Sequence, residues 1–224
     1  GSGWALLIDA STFFVAGLFL WNLDLKEMPV RKESTVFADL KSGWKEFSSR
    51  SWVVIIVSTL ALVNFCFEAM TLVLGPLAYD DAAHGPRYWS FNLAALTFGM
   101  VIGSLITLKI KFKKPLKVML ILIAISGIWD FALALGAPTY VILICAVISG
   151  ISVDVYFISW YTTMQSRIPE ESYSRVISYD AFGSYAIAPL GILVAGPVAL
   201  LIGVRNALFI TGGLTLLVSL AALS

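Results

Sequence analysis

The chain has 224 residues, 59% hydrophobic and 13% charged, with 15 Lys and Arg against 14 Asp and Glu and a formal net charge of +1. Its mean hydropathy of +0.89 leaves too little polar sequence to coat a soluble domain of this length. That composition excludes an ordinary soluble enzyme, and no nucleic-acid partner is expected.

Charge-free runs at 88–108, 131–153, 181–204 and 206–224 each approach the ~20 residues needed to cross a hydrocarbon core. Backbone groups in lipid must bond internally, and these runs do not alternate as barrel strands do. The predicted fold is therefore an all-α polytopic membrane protein. Seven transmembrane helices are placed at 4–22, 51–75, 89–109, 116–135, 138–162, 176–202 and 206–224.

The first span, 4–22, begins beside Trp4, ends beside Trp21 and carries Asp9. Segment 23–50 follows as a long connection holding Lys26, Arg31, Lys32, Lys41, Lys45 and Arg50. Within it Phe37, Leu40, Trp44 and Phe47 recur at 3-4-3 spacing, one apolar stripe on a helix. Such a basic amphipathic helix fits two settings, the cytoplasmic membrane surface or a protein face.

The second span carries Asn64 and Glu68 on one face. His84, in the next connection, reads as a solvated loop residue. The third span contains Gly99 and Gly103, a small-xxx-small pair that lets helix backbones approach. After it come Lys109, Lys111, Lys113, Lys114 and Lys117, placed to hold the loop at an anionic leaflet. Asp130 lies toward the end of the fourth span, and a hairpin at Gly136, Ala137, Pro138 and Thr139 leads into the fifth. There Asp154 shares a face with Gly150, Tyr161 and Gln165, while Ser149, Ser152, Tyr156, Ser159 and Thr163 mark a second polar stripe. Arg167 and Arg175 flank the next connection, and Asp180 opens the sixth span. Its Pro189, Gly191, Gly196 and Pro197 offer points of bending.

Thirteen of the 15 basic residues fall in connections one, three and five; only Arg87 and Arg205 lie in the others. The positive-inside bias therefore places those three connections in the cytoplasm. Seven spans then put the N-terminus outside and the C-terminus in the cytoplasm, and both ends read as cut from a longer chain. Trp4, Trp52, Trp89, Trp21, Trp129 and Trp160, near span ends, fit headgroup-level rings. Cys66 and Cys145 sit in apolar runs and read as small buried hydrophobes. No Cys/His cluster, phosphate-binding glycine loop or nucleophile motif is present, so no metal, cofactor or enzymatic activity is expected.

The last six spans divide three and three, the plan of an inverted-repeat transporter half. Three segments carry a family resemblance. The run from Arg175 to Ser184, with Pro189, Leu190, Gly191, Gly196 and Pro197, resembles the eleventh helix of the drug-efflux branch of the major facilitator superfamily. That branch includes the enterobactin and macrolide exporters. Gly3 to Ala10 resembles its sixth helix, and Asp39 to Glu46 its central linker. The basic loop after the third span departs from the family's Gly-x-x-x-Asp-Arg type of motif, since Gly103 to Lys113 contains no Asp.

The resemblance implies helices six to twelve. Residues 1–22 would be the last helix of a missing N-terminal half, 23–50 a cytoplasmic linker and 51–224 the C-terminal six-helix bundle. It implies a multi-pass plasma-membrane transporter, a proton-coupled antiporter for efflux of small amphipathic molecules of drug or siderophore type by alternating access. The partners expected are the lipid bilayer, a small-molecule substrate, protons and the missing half. An uptake carrier of the same fold, or a non-transporting receptor or scaffold, are the alternatives. Ionisable side chains within spans are expensive and so mark candidate sites. Candidates for substrate or proton coupling are Asp154, Glu68, Asn64, Tyr156, Trp160 and Asp130, whereas Asp180 with Arg175 reads as a structural or gating charge.

Overall fold

The computed structural model describes residues 2–21, 35–79, 85–110 and 112–223, and these are helical with no strand. His84 lies outside the described residues, as do Lys26, Arg31, Lys32 and Lys111. Two compact units result, Gly1–Ala38 and Asp39–Ser224.

In the first unit, α1 (Ser2–Trp21) is one continuous helix containing the apolar stretch Leu6–Trp21. The Ser11 and Thr12 hydroxyls donate back to the carbonyls of Leu7 and Asp9, at 2.6 and 2.7 Å, so neither polar group is left open on an apolar surface.

The second unit opens with most of α2 (Val36–Ser48), which is followed by six helices long and apolar enough to cross a membrane. These are α3 (Ser51–Ala78), α4 (Gly85–Lys109), α5 (Pro115–Ala134), α6 (Thr139–Arg167), α7 (Glu170–Ile202) and α8 (Val204–Ala221). The expected seven spans thus become six such helices plus the shorter apolar stretch of α1.

Of the predicted amphipathic stripe, Phe47 is buried while Leu40 and Trp44 remain more than half exposed. The buried side docks on α7. Trp44 and Phe47 both stack near Tyr179, whose hydroxyl donates to the Leu40 carbonyl at 2.9 Å, and Gly43 lies under the same ring. Protein packing therefore accounts for part of the stripe. Arg50 closes the helix by pairing with Glu46 at 2.8 Å, and that hydrogen bond holds the Glu46 carboxyl below the ordinary carboxylate value.

Within the bundle α4 packs along α6 and α3 along α7, with further contacts of α5 on α6, α3 on α8 and α5 on α8. Apart from a contact of α7 on α8 that α4 and α5 do not match, these pairings are unchanged when α3, α4 and α5 are exchanged with α6, α7 and α8, as expected of two three-helix repeats. Small residues set the closest approaches. A Cβ on Gly99 would collide with the Val147 carbonyl, and one on Gly150 with the Leu96 carbonyl, so α4 and α6 meet backbone to backbone. Gly191 does the same for α7 against the Phe65 carbonyl of α3.

Two buried clusters cap the ends of the bundle. One gathers Val57, Leu60, Ile123, Trp160 and Met164 at the end where α3 begins and α6 ends. The other gathers Leu74, Trp89, Trp129 and Leu208 at the opposite end. Here Trp89 and Trp129 stack at 5.3 Å, and Asn92 accepts from the Trp129 indole at 3.2 Å while donating to the Tyr79 hydroxyl. Trp89, Trp129 and Trp160 are buried inside the bundle, so their rings face protein rather than its surface. For Trp129 and Trp160 the reason is a buried acceptor for the indole N–H, without which burial would be costly.

Three helices are interrupted. Helix α3 widens to a π segment at Met70–Leu74, immediately before Pro76, which cannot donate to the ladder. Gly127 breaks α5 where it meets the Gly212 carbonyl of α8. Helix α7 turns at Ala186 and Ile187 just ahead of Pro189, whose missing N–H leaves the Tyr185 carbonyl without its usual donor. The α5–α6 hairpin is tight. Gly136 takes φ 62° and the Ala137 N–H reaches the Ala132 carbonyl, a Schellman closure.

Candidate functional site

A cavity of about 370 Å³ opens between α3, α4, α6 and the break in α7. This lies within the range of about 300–1,000 Å³ common to small-molecule sites. Helix α3 contributes Asn64, Phe67 and Glu68; helix α6 contributes Asp154, Tyr156 and Phe157; helix α7 contributes Tyr185. Among the described residues, no Lys, Arg or His lines it.

Four sequence candidates thus share one space: Asp154, Glu68, Asn64 and Tyr156. Helix pairing explains the convergence. Gly103 and Gly150 hold α4 and α6 so closely that the Asp154 Cβ would lie 2.9 Å from a Cβ on Gly103. The neighbouring Ser104 hydroxyl donates to Asp154 Oδ2 at 2.8 Å and fixes that carboxylate at the wall. Among the described residues none donates a hydrogen bond to Glu68, so of the two carboxylates it is the freer to meet a ligand. Asn64 donates to the Ser184 carbonyl at 2.8 Å and ties α3 to the last turn before the α7 break. The two polar stripes read on α6 do not divide cleanly, since Tyr156 reaches the same cavity as Asp154.

Two other candidates lie elsewhere. Asp130 is buried between α5 and α8, where the Thr211 hydroxyl donates to its Oδ1 at 2.6 Å. It does not line the cavity. Trp160 stands beside the cavity with its indole turned to Asp180, donating to both carboxylate oxygens at 3.2 Å.

Asp180 itself corrects an expectation. The helix begins at Glu170, so Asp180 lies nearly three turns inside it and gains nothing from the helix N-terminus. It is 2% exposed, and its partners are Trp160 and Ser184 rather than Arg175. Arg175 instead packs its Cβ near Gly43 of α2. A five-residue separation turns two side chains about 140° apart on a helix, which accounts for the lost pair.

Sequence reasoning missed Ser104, Phe67 and Tyr185. Only the Gly99–Gly103 pair signalled where α4 would meet a neighbour, and it did not say which one. Both cysteines are free and buried.

A family model of the Major Facilitator Superfamily matches residues 1–191. The chain belongs to that superfamily. The six long apolar helices among its described residues are accordingly those of a multi-pass membrane protein from a transporter family, not an enzyme. The multidrug efflux pump Tap of Mycolicibacterium fortuitum is 27% identical over 198 residues, covering 86% of this chain and 48% of that protein. The Tap pump of Mycobacterium tuberculosis (strain ATCC 25618 / H37Rv) is 26% identical over 196 residues, covering 85% and 46% respectively. The chain therefore spans about half the length of the curated relatives it matches. No solved structure gives a significant match.

Proposed function

We propose that this chain forms the second half of a proton-coupled efflux transporter for small amphipathic molecules, working by alternating access in the plasma membrane. In this reading 1–22 is the last helix of the first half, 23–50 the cytoplasmic linker and 51–224 the six-helix half-bundle. Connections one, three and five face the cytoplasm, as their basic residues favour.

One observation carries the reading. The cavity brings Glu68 and Asp154 together with Phe67, Tyr156, Phe157 and Tyr185, with no basic side chain among its described lining residues. Aromatic walls receive an apolar body, while carboxylates in a low-dielectric space attract a positive group. The likeness to proteins named as multidrug efflux pumps supports the outward direction.

The test uses the intact transporter in cells loaded with ethidium. Both Asp154→Asn and Glu68→Gln should reduce energy-dependent efflux at least ~10-fold with protein levels unchanged. Wild-type efflux from both variants would remove the cavity carboxylates from transport.

A further inference from the structure

Asp180, like Asp130, is a buried carboxylate that does not line the cavity, but Asp180 lines a niche that adjoins it. It is 2% exposed, and Trp160 donates to both of its oxygens while the Ser184 hydroxyl approaches Oδ1 at 3.3 Å. Among the described residues no cation sits against it. From α6 the titratable groups facing it are Tyr156 and Tyr161; from α7 there is Tyr185, with Glu68 of α3 beyond that ring. Leaving a carboxylate ionised in such a place is expensive, because neutral donors alone must replace its water.

A niche of about 10 Å³ adjoins Asp180, close to the space one water needs. Asn64, Tyr156, Phe157 and Tyr185 line both this niche and the large cavity. The two spaces are therefore separated by single side chains. The Ser184 that contacts Asp180 also carries the carbonyl that Asn64 holds at 2.8 Å, and the α7 backbone breaks two residues later.

We propose that Asp180 is the proton-binding site of the transport cycle, reached through this niche, with Asn64 the positioning residue that links its charge to the contents of the cavity. The inference rests on the proton-coupled reading above. On loading, a hydronium in the niche gives up its proton, an O–H bond forms on one Asp180 oxygen, and a neutral water is left. The neutral acid can then be shielded as the half-bundle closes. On release the O–H bond breaks, water takes the proton, and Trp160 and Ser184 again satisfy the carboxylate. Because Ser184 lies beside the Pro189-induced break, the change of charge acts where α7 is least constrained. Substrate and proton then occupy different carboxylates, Glu68 and Asp154 against Asp180, and are coupled through Asn64.

The experiment reconstitutes the intact transporter in liposomes with ethidium as the probe. Asp180→Asn should keep ethidium exchange without a pH gradient within ~2-fold of wild type, and lose gradient-driven accumulation by more than ~10-fold. Gradient-driven accumulation equal to wild type would overturn the proposal, as would loss of exchange in a variant that melts like wild type. Should Asp180→Asn fail to fold, Trp160→Phe removes one donor and retains the acid. Its pH midpoint of transport should then move by about one unit, and an unmoved midpoint would overturn the proposal. Infrared difference spectra on acidification give a readout free of transport: one carboxylic C=O band of wild type must be missing in Asp180→Asn while those of the other acids remain, and its persistence would overturn the assignment. A wild-type protein that moves no ethidium under any gradient yet shows this band would instead count against the efflux reading.

Discussion

The α4–α6 and α3–α7 interfaces occupy equivalent places in the two repeats, yet they are built differently. Helices α4 and α6 touch through Gly99, Gly103 and Gly150 along one continuous seam, and the Ser104–Asp154 bond sits on top of it. Both helices run unbroken, over 25 and 29 residues. Helices α3 and α7 have one such backbone contact, at Gly191. Around it lie the π segment of α3, the break in α7, the Asn64–Ser184 bond and buried Asp180. A seam closed by glycines has no slack, because backbone atoms cannot repack as side chains can. An interface held by a few hydrogen bonds beside two helix irregularities can shift between arrangements. One repeat pairing is a frame and its symmetry mate is the place where change can occur.

The widest effect should come from the frame. Gly150→Ala drives a methyl into the Leu96 carbonyl and should cost about 3 kcal/mol or more, read as a lowered melting temperature in detergent. The same change at Gly191 meets the Phe65 carbonyl, but α7 can tilt at Ala186 and Ile187, so about 2 kcal/mol is expected. Equal losses from the two variants would mean that α3–α7 is as rigid as α4–α6.

Away from both seams, Thr211→Val removes the hydroxyl that Asp130 accepts. Its cost should be about 1 kcal/mol, with transport retained. If ethidium efflux vanished instead, Asp130 would belong with the coupling groups and the functional contrast between interfaces would fail.

The smallest effect concerns α2, which docks on the α7 side of the comparison. Arg50 holds the Glu46 carboxyl below its ordinary 4.5, so this pair adds stability above that value and loses it as pH falls through the lower folded value. Glu46→Gln should flatten that small acid-side decline in melting temperature. A decline identical to wild type would assign it to another group.

Much of this was legible from residue order. Span positions followed from apolar length, and the breaks in α3 and α7 lie next to Pro76 and Pro189. Glu68, Asn64, Asp154 and Tyr156 were legible as polar groups that lipid would not tolerate. Their union in one cavity was not, because Asn64 and Asp154 lie ninety positions apart and nothing local says that α3 and α6 flank a common space. Asp180 shows the opposite failure. Sequence proximity proposed Arg175 as its partner, while the partner in space was Trp160 on another helix.

Hydropathy and charge order are properties of the chain itself, since burial in lipid acts on each segment before the segments meet. They determined the membrane class, the helices and the bias of basic residues toward alternate connections. Which carboxylates face a ligand, which are sealed, and which indoles are inside were decided only by packing. Those outcomes depend on which glycines let two backbones touch and on where a buried donor finds its acceptor.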